Sequence, residues 1–242
     1  MRENYTLPRL FLPDDLSAGA EIELPREAAH YLTTVIRKSE GDSLRVFNGK
    51  SGEWRAEITE TRKKSAQITV MERLRVPAAV PDVTLLFAPV RKHRTAFIIE
   101  KATELGVRTI QPVLTARTQF PKLNIGKARL QAIEAAEQTE RLDVPDIRAT
   151  KPLLDILSAW GDTPILFADE AGDAVRAADV CANHPAPIAM LIGPEGGFTD
   201  VERKELRAME NVHPVTLGPR ILRADTAVVA LLSVWQSTRG DW

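Results

Sequence analysis

Two short stretches near the C-terminal end hold the residues best suited to chemistry. The first, Gly193-Pro194-Glu195-Gly196-Gly197-Phe198, follows the apolar run Ile188 to Ile192 and precedes Thr199-Asp200-Val201-Glu202. That last quartet is a Ser/Thr-x-x-Glu capping box and predicts a helix start. Strand, glycine loop and helix N-terminus in this order can turn backbone N–H groups toward a ligand. Gly196 and Gly197 lack Cβ, so the main chain can come close to it. The second stretch, Leu217-Gly218-Pro219-Arg220-Ile221-Leu222-Arg223-Ala224-Asp225, follows the apolar segment Val212 to Leu217 and leads into an apolar helix predicted from about Thr226. Two such loops at neighbouring strand ends suggest one pocket. The competing reading is a pair of Gly-Pro turns with no ligand. Neither loop carries the lysine of a phosphate loop, so both suit a ligand held mainly by backbone, such as an adenosine moiety. Leu217, Ile221 and Leu222 read either as its walls or as plain core.

Charged side chains stand beside both loops. Arg220 and Arg223 lie three apart, and a planar, always-charged guanidinium serves phosphate recognition and charge stabilisation. Glu195 and Asp225 could each take up a proton, although Asp225 reads equally well as a helix cap. Other standard sites are missing: the sequence has no Gly-x-Gly-x-x-Gly after a strand, no Gly-Lys-Ser/Thr loop and no His-Glu-x-x-His. His30, His93, His184 and His213 are scattered without ligand spacing, so they read as structural and no metal is predicted. The single cysteine, Cys181, excludes a disulfide framework within the chain and a thiolate zinc cluster. Its apolar surroundings, Val175, Ala178 and Val180, mark a buried structural thiol.

The elements that must position these loops alternate between strand and helix. Val83 to Ala88 is a near-continuous apolar strand, a helix follows to Leu105 with Gly106 just beyond, and Val107 to Leu114 is strand-like. Arg129 to Arg141 predicts a helix. Pro164 to Ala168, Ile188 to Ile192 and Val212 to Leu217 predict further strands. This alternation argues for an α/β domain with a parallel, doubly wound sheet over 83–242. Before it, residues 1–75 read differently. Short alternating strands begin at Arg9, Glu21, Ser43, Glu53 and Ala66, separated by turn signals and one helical piece from about Glu27 to Arg37. They predict a small, mostly antiparallel β domain. Val76-Pro-Ala-Ala-Val-Pro-Asp82 is a short stiff linker between the two.

The whole composition is that of a soluble globular chain: 242 residues, 44% hydrophobic and 27% charged. No apolar run reaches the length of a membrane span and the start lacks a signal peptide's apolar region, so a cytoplasmic protein is expected. A net charge of −1 is not the footprint of a strongly basic nucleic-acid binder. Basic side chains are nevertheless plentiful before Pro77, among them Arg9 and Arg37. A basic face there would have to come from folding.

The paired stretches Leu191-Ile-Gly-Pro-Glu-Gly-Gly-Phe198 and Leu217-Gly-Pro-Arg-Ile-Leu-Arg-Ala-Asp-Thr-Ala227 closely resemble the last two motifs of the bacterial small-subunit ribosomal RNA uracil-N3 methyltransferases. These belong to the knotted, S-adenosylmethionine-dependent RNA methyltransferases of the SPOUT class. Glu100-Lys-Ala-Thr-Glu-Leu-Gly-Val107, Glu134-Ala-Ala-Glu-Gln-Thr-Glu-Arg141, Pro8-Arg-Leu-Phe-Leu-Pro13 and Val46-Phe-Asn-Gly49 fit the same family, so the resemblance spans nearly the whole chain.

The resemblance implies a SPOUT-like C-terminal domain with a deep trefoil knot, which general topology rules would otherwise forbid. It also implies a PUA-like, RNA-binding β-barrel at the N-terminus. It implies S-adenosylmethionine as cofactor, bent within the knot and held by Phe167, Ala168, Gly193, Gly197, Leu217, Gly218, Ile221 and Leu222. Small-subunit ribosomal RNA, free or in the assembled subunit, would be the substrate, methylated at N3 of one uridine. Arg223 would border methyl donor and substrate, and Arg9, Arg37, Arg117 and Arg220 are the expected RNA contacts. For the N3 proton, Glu195 or Asp225 could act as base, or an arginine such as Arg223 could steady the developing uracil anion, and the sequence does not choose between these. A homodimer is expected through the apolar C-terminal helix. This chain departs from the family at Ala224-Asp225, where Thr-Glu is usual, and at Ala116, where glutamate is common. Those departures favour one alternative, a non-catalytic RNA-binding or assembly protein. Another is an α/β enzyme using a different adenosine cofactor.

Overall fold

The structure, a computed structural model, describes residues 3–62, 65–78, 80–171 and 173–242. The chain forms two compact units, Met1–Ala79 with Ala136–Val144, and Val80–Ala135 with Pro145–Trp242. The segment 136–144 therefore belongs with the N-terminal unit, although sequence pattern alone groups it with 83–242.

The first unit contains strands β1 (Arg9–Phe11), β2 (Glu21–Glu23), β3 (Ser43–Asn48), β4 (Gly52–Thr61) and β5 (Ala66–Arg75), and helix α1 (Arg26–His30), which continues as a π-helical turn over Tyr31–Val35. The sheet order is β1-β3-β4-β5-β2. Its pairs are antiparallel except β1 with β3. Along β5, Ala66, Ile68 and Val70 are buried while Gln67 and Thr69 are half-exposed, the alternation of a sheet with one covered face. Register shifts between β4 and β5 bend the ribbon over its core. That core is built from Leu10, Leu12, Leu32, Leu44, Val46, Ile58 and Ile68.

A second, polar cluster explains why 136–144 joins this unit. Glu53 is 2% exposed and accepts hydrogen bonds from Arg9 Nε at 2.6 Å and Arg75 Nε at 2.7 Å. Arg9 also donates to the carbonyls of Ala136 and Arg141, and its guanidinium lies 3.6 Å from the centre of the Phe47 ring. Arg45 and Arg75 both bind the Glu140 carboxylate. Phe47, Ala136 and Leu142 pack together beside this network. Arg9 is thus a buried cross-brace and not the RNA contact expected of it. At 6% exposed, with its Nε on Glu53 and its other two nitrogens on the carbonyls of Ala136 and Arg141, this guanidinium presents almost no surface to a phosphate. Arg37 is exposed, at φ +57°.

The second unit runs β6 (Val83–Phe87), α2 (Lys92–Glu104), β7 (Thr109–Leu114), α3 (Ile125–Gln138), β8 (Asp146–Ile147), β9 (Lys151–Pro152), α4 (Leu153–Ser158), β10 (Ile165–Ala168), β11 (Val175–Arg176), α5 (Ala177–Cys181), β12 (Ile188–Ile192), α6 (Asp200–Ala208), β13 (Val212–Thr216) and α7 (Ala224–Arg239). The last residues of α3 belong to the first unit. The strand order is β11-β13-β10-β12-β6-β7-β8, with β9 also on β7, and the paired strands are parallel. All five residues of β12 are buried, as a central parallel strand covered on both faces requires. α3 begins four residues before the predicted Arg129, because the Asn124 side chain accepts the Lys127 N–H at 2.9 Å and starts it. α7 buries Val228, Leu231, Leu232 and Trp235 and packs on α2, α5 and β12. Among the described residues no helix is long and apolar enough to cross a membrane.

Candidate active site

β12 lies between β6 and β10, while β13 lies on the far side of β10. Open parallel sheets place ligands beyond the carboxyl ends of strands where the order reverses. A cavity of about 440 Å³ opens there, at the ends of β10, β12 and β13. Ala168, Asp169 and Glu170 form one side, Ile192, Gly193, Pro194 and Gly197 another, and Thr216 to Leu222 the third. Its volume falls within the range of small-molecule clefts.

The first loop is held by groups around it. Thr199 and Glu202 form the expected capping box, with Glu202 N–H to Thr199 Oγ1 at 3.2 Å and Thr199 N–H to Glu202 Oε2 at 2.9 Å. The other oxygen of Glu202 accepts the Ala116 N–H at 2.7 Å, tying the loop after β7 to the loop after β12. Burial raises the pKa of Glu202, but these backbone hydrogen bonds outweigh it and the net shift is downward. Arg117 Nη1 donates to the carbonyls of Gly196 at 2.8 Å and Phe198 at 3.2 Å. Arg117 is therefore a clamp on the glycine loop.

Two glycines need their lack of a side chain for internal reasons. A Cβ on Gly193 would sit 2.6 Å from a ring carbon of Phe198. On Gly197, at φ +64°, it would sit 2.2 Å from Glu170 Oε1. Phe198 in turn meets Phe167 edge-on, with ring centroids 4.9 Å apart. Phe167 is fully buried and does not line the cavity, unlike its neighbour Ala168. Successive strand residues face opposite ways, so the side chains of both could not be walls. In the second loop Gly218 adopts φ +106°, a conformation that favours glycine, and Thr216 Oγ1 accepts its N–H at 3.2 Å. Ile221, a cavity wall, is 86% exposed.

A second cavity, of about 520 Å³, is lined by Arg91, His93, Arg94, Gln119, Glu195 and Arg223. Pro194 faces the first cavity and Glu195 the second; Leu222 and Ala224 face the first and Arg223 the second. The two cavities thus share both loops as walls. Arg220 stays with the first. Helix α7 begins at Ala224 with Arg223 as its N-cap and no capping side chain. Asp225 is not the cap. It lies in the first turn, accepts the Thr226 N–H at 3.0 Å and is held by Arg94 Nη1 at 3.3 Å from both oxygens.

Sequence reasoning missed Arg91 and Arg94, although the basic quartet Arg91-Lys92-His93-Arg94, with three residues between it and the end of β6, is a visible signal. It also missed Asp169, whose buried carboxylate is gripped by Arg203 Nε at 3.0 Å and Arg207 Nε at 2.9 Å and so fixes the end of β10. Cys181 is fully buried, and burial pushes its thiol up to about 11.

Residues 77–236 match the RNA methyltransferase domain family, and residues 24–71 match the RNA methyltransferase PUA domain family. The ribosomal RNA small subunit methyltransferase E of Rickettsia conorii is 33% identical over 93% of this chain and 93% of its own length. The enzyme of the same name from Synechocystis is 34% identical over 93% of this chain and 76% of its own length. Among solved structures, a ribosomal RNA small subunit methyltransferase E from Neisseria gonorrhoeae bound to S-adenosyl methionine superposes with a TM-score of 0.84 at 28% identity, covering 98% of this chain and 99% of that one. A Legionella pneumophila protein, in complex with the bound cofactor SAM, gives 0.86 at 29% identity over the same shares. Two glycine loops at the switch point of a parallel sheet, the arginines beside them and these likenesses converge: the chain belongs to the ribosomal RNA small subunit methyltransferase E family, within the RNA methyltransferases that carry a PUA domain.

Proposed function

We propose that this protein methylates one uridine of small-subunit ribosomal RNA at ring nitrogen N3, with S-adenosylmethionine as methyl donor, in the cytoplasm. The observation that carries the proposal is the shared wall: a largely apolar, backbone-rimmed cavity and an arginine-lined cavity both take lining residues from the two glycine loops. The first cavity fits the cofactor. Gly193, Leu217 and Gly218 offer backbone groups, Ile192, Val215, Leu222 and Ala227 offer apolar surface, and Glu170 offers a carboxylate at the rim. When bound there, S-adenosylmethionine supplies a methyl group activated by its sulfonium. Ile221 is then covered, which accounts for so exposed an apolar side chain.

The second cavity receives the uracil. Its N3 proton must leave before the nitrogen is a competent nucleophile. Among the described residues Glu195 has no hydrogen-bond or ion-pair partner, while both oxygens of Asp225 face Arg94. Glu195 is therefore the proton acceptor in this reading, and Asp225 positions Arg94. Arg223 steadies the negative charge that develops on the uracil ring. Pre-positioning within two adjoining cavities supplies much of the remaining rate gain.

Membership of the RNA methyltransferase domain family supports a SPOUT-like trefoil knot over the parallel sheet, and the bent five-stranded sheet supports a PUA-like β-barrel that helps bind RNA, with Arg37 among its contacts. A homodimer through α7 completes the reading, since Val229, Ala230 and Val234 are only half-buried in the single chain. Transfer of labelled methyl from S-adenosylmethionine to small-subunit ribosomal RNA tests the activity, and absence of transfer with a folded, cofactor-binding protein overturns it. Light scattering tests the dimer, and a monomer mass at micromolar concentration counts against it.

A further inference from the structure

The loops after β6 and β7 also border a third cavity, of about 230 Å³, within the same unit. Phe120, 38% exposed, stands at its edge, and Lys92, Lys122 and Lys127 surround it, with Val90 and Ala128 below. Among the described residues none of the three ammonium groups is in an ion pair. Two of them are badly placed for stability. Lys122 precedes α3 and Lys127 lies in its first turn, which carries no acidic residue, so both face the positive end of the helix dipole. An anion would relieve them. The cavity is continuous in sequence with the arginine cavity: Lys92 sits between Arg91 and His93, and Phe120 follows Gln119.

We propose that this third cavity is a subsite for a nucleotide flanking the target uridine in a single-stranded stretch of RNA. Phe120 stacks on the base, and Lys92, Lys122 and Lys127 bind the adjoining phosphates. Aromatic stacking with a lysine track is the common way to hold single strands without reading their sequence. The cavity thus fixes the strand's path while the arginine cavity receives the reacting base. This rests on the methyl-transfer reading of the arginine cavity, but it can fail independently.

The test uses the full-length protein, with labelled oligouridylate as single-strand probe and small-subunit ribosomal RNA as substrate. Phe120→Ala should weaken oligouridylate binding about tenfold without changing its salt dependence, and Phe120→Trp should restore it. Lys92→Ala/Lys122→Ala/Lys127→Ala should lower the slope of log affinity against log salt by about two, as expected for three lost single-strand phosphate contacts. Both variants should raise KM for ribosomal RNA more than they lower kcat, with cofactor affinity and light-scattering mass unchanged. The melting temperature should hold in Phe120→Ala and hold or rise in the triple variant, which loses two cations from the positive end of α3. An unchanged salt slope in the triple variant overturns the subsite. A changed mass overturns it too, because the cavity is then an interface between copies. If the wild-type protein binds oligouridylate through these residues yet transfers no methyl group to ribosomal RNA, the methyl-transfer reading has failed and the strand-binding site stands.

Discussion

The molecule gathers three arginines in each of two places and uses the two sets in opposite ways. In the first unit Arg9, Arg45 and Arg75 converge on Glu53 and Glu140, and the Arg9 and Arg45 side chains are no more than 4% exposed. In the second unit Arg91, Arg94 and Arg223 line an open cavity, where Asp225 engages Arg94 alone. A guanidinium surrounded by carboxylates and carbonyls is part of the scaffold. One left facing a cavity keeps its hydrogen-bonding fork for a ligand. Residue type is the same in both, and what differs is how completely the protein itself satisfies the charge.

The sharpest way to break that comparison is Glu53→Gln. It leaves Arg9 and Arg45 buried with one carboxylate fewer, and removing one partner of a buried ion pair costs about 3–5 kcal/mol. Chemical denaturation should register that loss in the first unit. Burial raises the Glu53 pKa, but hydrogen bonds and charge from Arg75 and Arg9 outweigh it, so the net lies below the ordinary 4.5. The unfolded carboxyl then binds protons more readily than the folded one. The contribution is complete above the ordinary value and is lost as pH falls through the lower folded pKa. Stability of wild type and Glu53→Gln should therefore converge on acidification below about pH 4.5.

Arg223→Ala sharpens the other side. It should leave the fold intact and cut the single-turnover rate by about 10²–10³, the usual cost of losing one charge-stabilising contact. Cofactor affinity, read by calorimetry, should change far less. A variant that loses stability instead would make Arg223 another scaffold arginine. The two carboxylates separate by pH. Glu195→Gln should give a rate that climbs with pH as hydroxide replaces the lost acceptor, whereas Asp225→Asn should lower the rate without that climb. If the profiles are reversed, the roles assigned to them are reversed. The smallest expected effect is at Cys181: with its thiol buried and pushed up to about 11, a maleimide at neutral pH should label the native protein negligibly and leave methyl transfer unchanged.

Local signals told most of what was legible in the sequence. β12 was readable to the residue from its apolar run, and the start of α6 from a capping box whose two hydrogen bonds both form. Gly106, at φ +78°, stands just beyond α2 as its position suggested. What sequence missed depends on distant partners. Arg9 reads as one more basic residue until Glu53 and the carbonyls of Ala136 and Arg141 close around it. Glu202 looked like a cap alone, yet it also receives the Ala116 N–H from another loop. Gly197 suggested close approach of a ligand, and the group nearest to where its side chain would be is the carboxylate of Glu170. The pairing of Asp225 with Arg94 joins two helix starts far apart in sequence, and pattern cannot foresee it.

The central claim, transfer of a methyl group to uracil N3 beside Arg223, is most directly tested by one mass-spectrometric experiment. Unmodified small-subunit ribosomal RNA is incubated with the protein and S-adenosylmethionine carrying a deuterated methyl group, and the RNA is then digested to nucleosides. The account predicts label in 3-methyluridine with wild type and its near-disappearance with folded Arg223→Ala. Label in any other nucleoside, or the same yield of 3-methyluridine from Arg223→Ala, would contradict it.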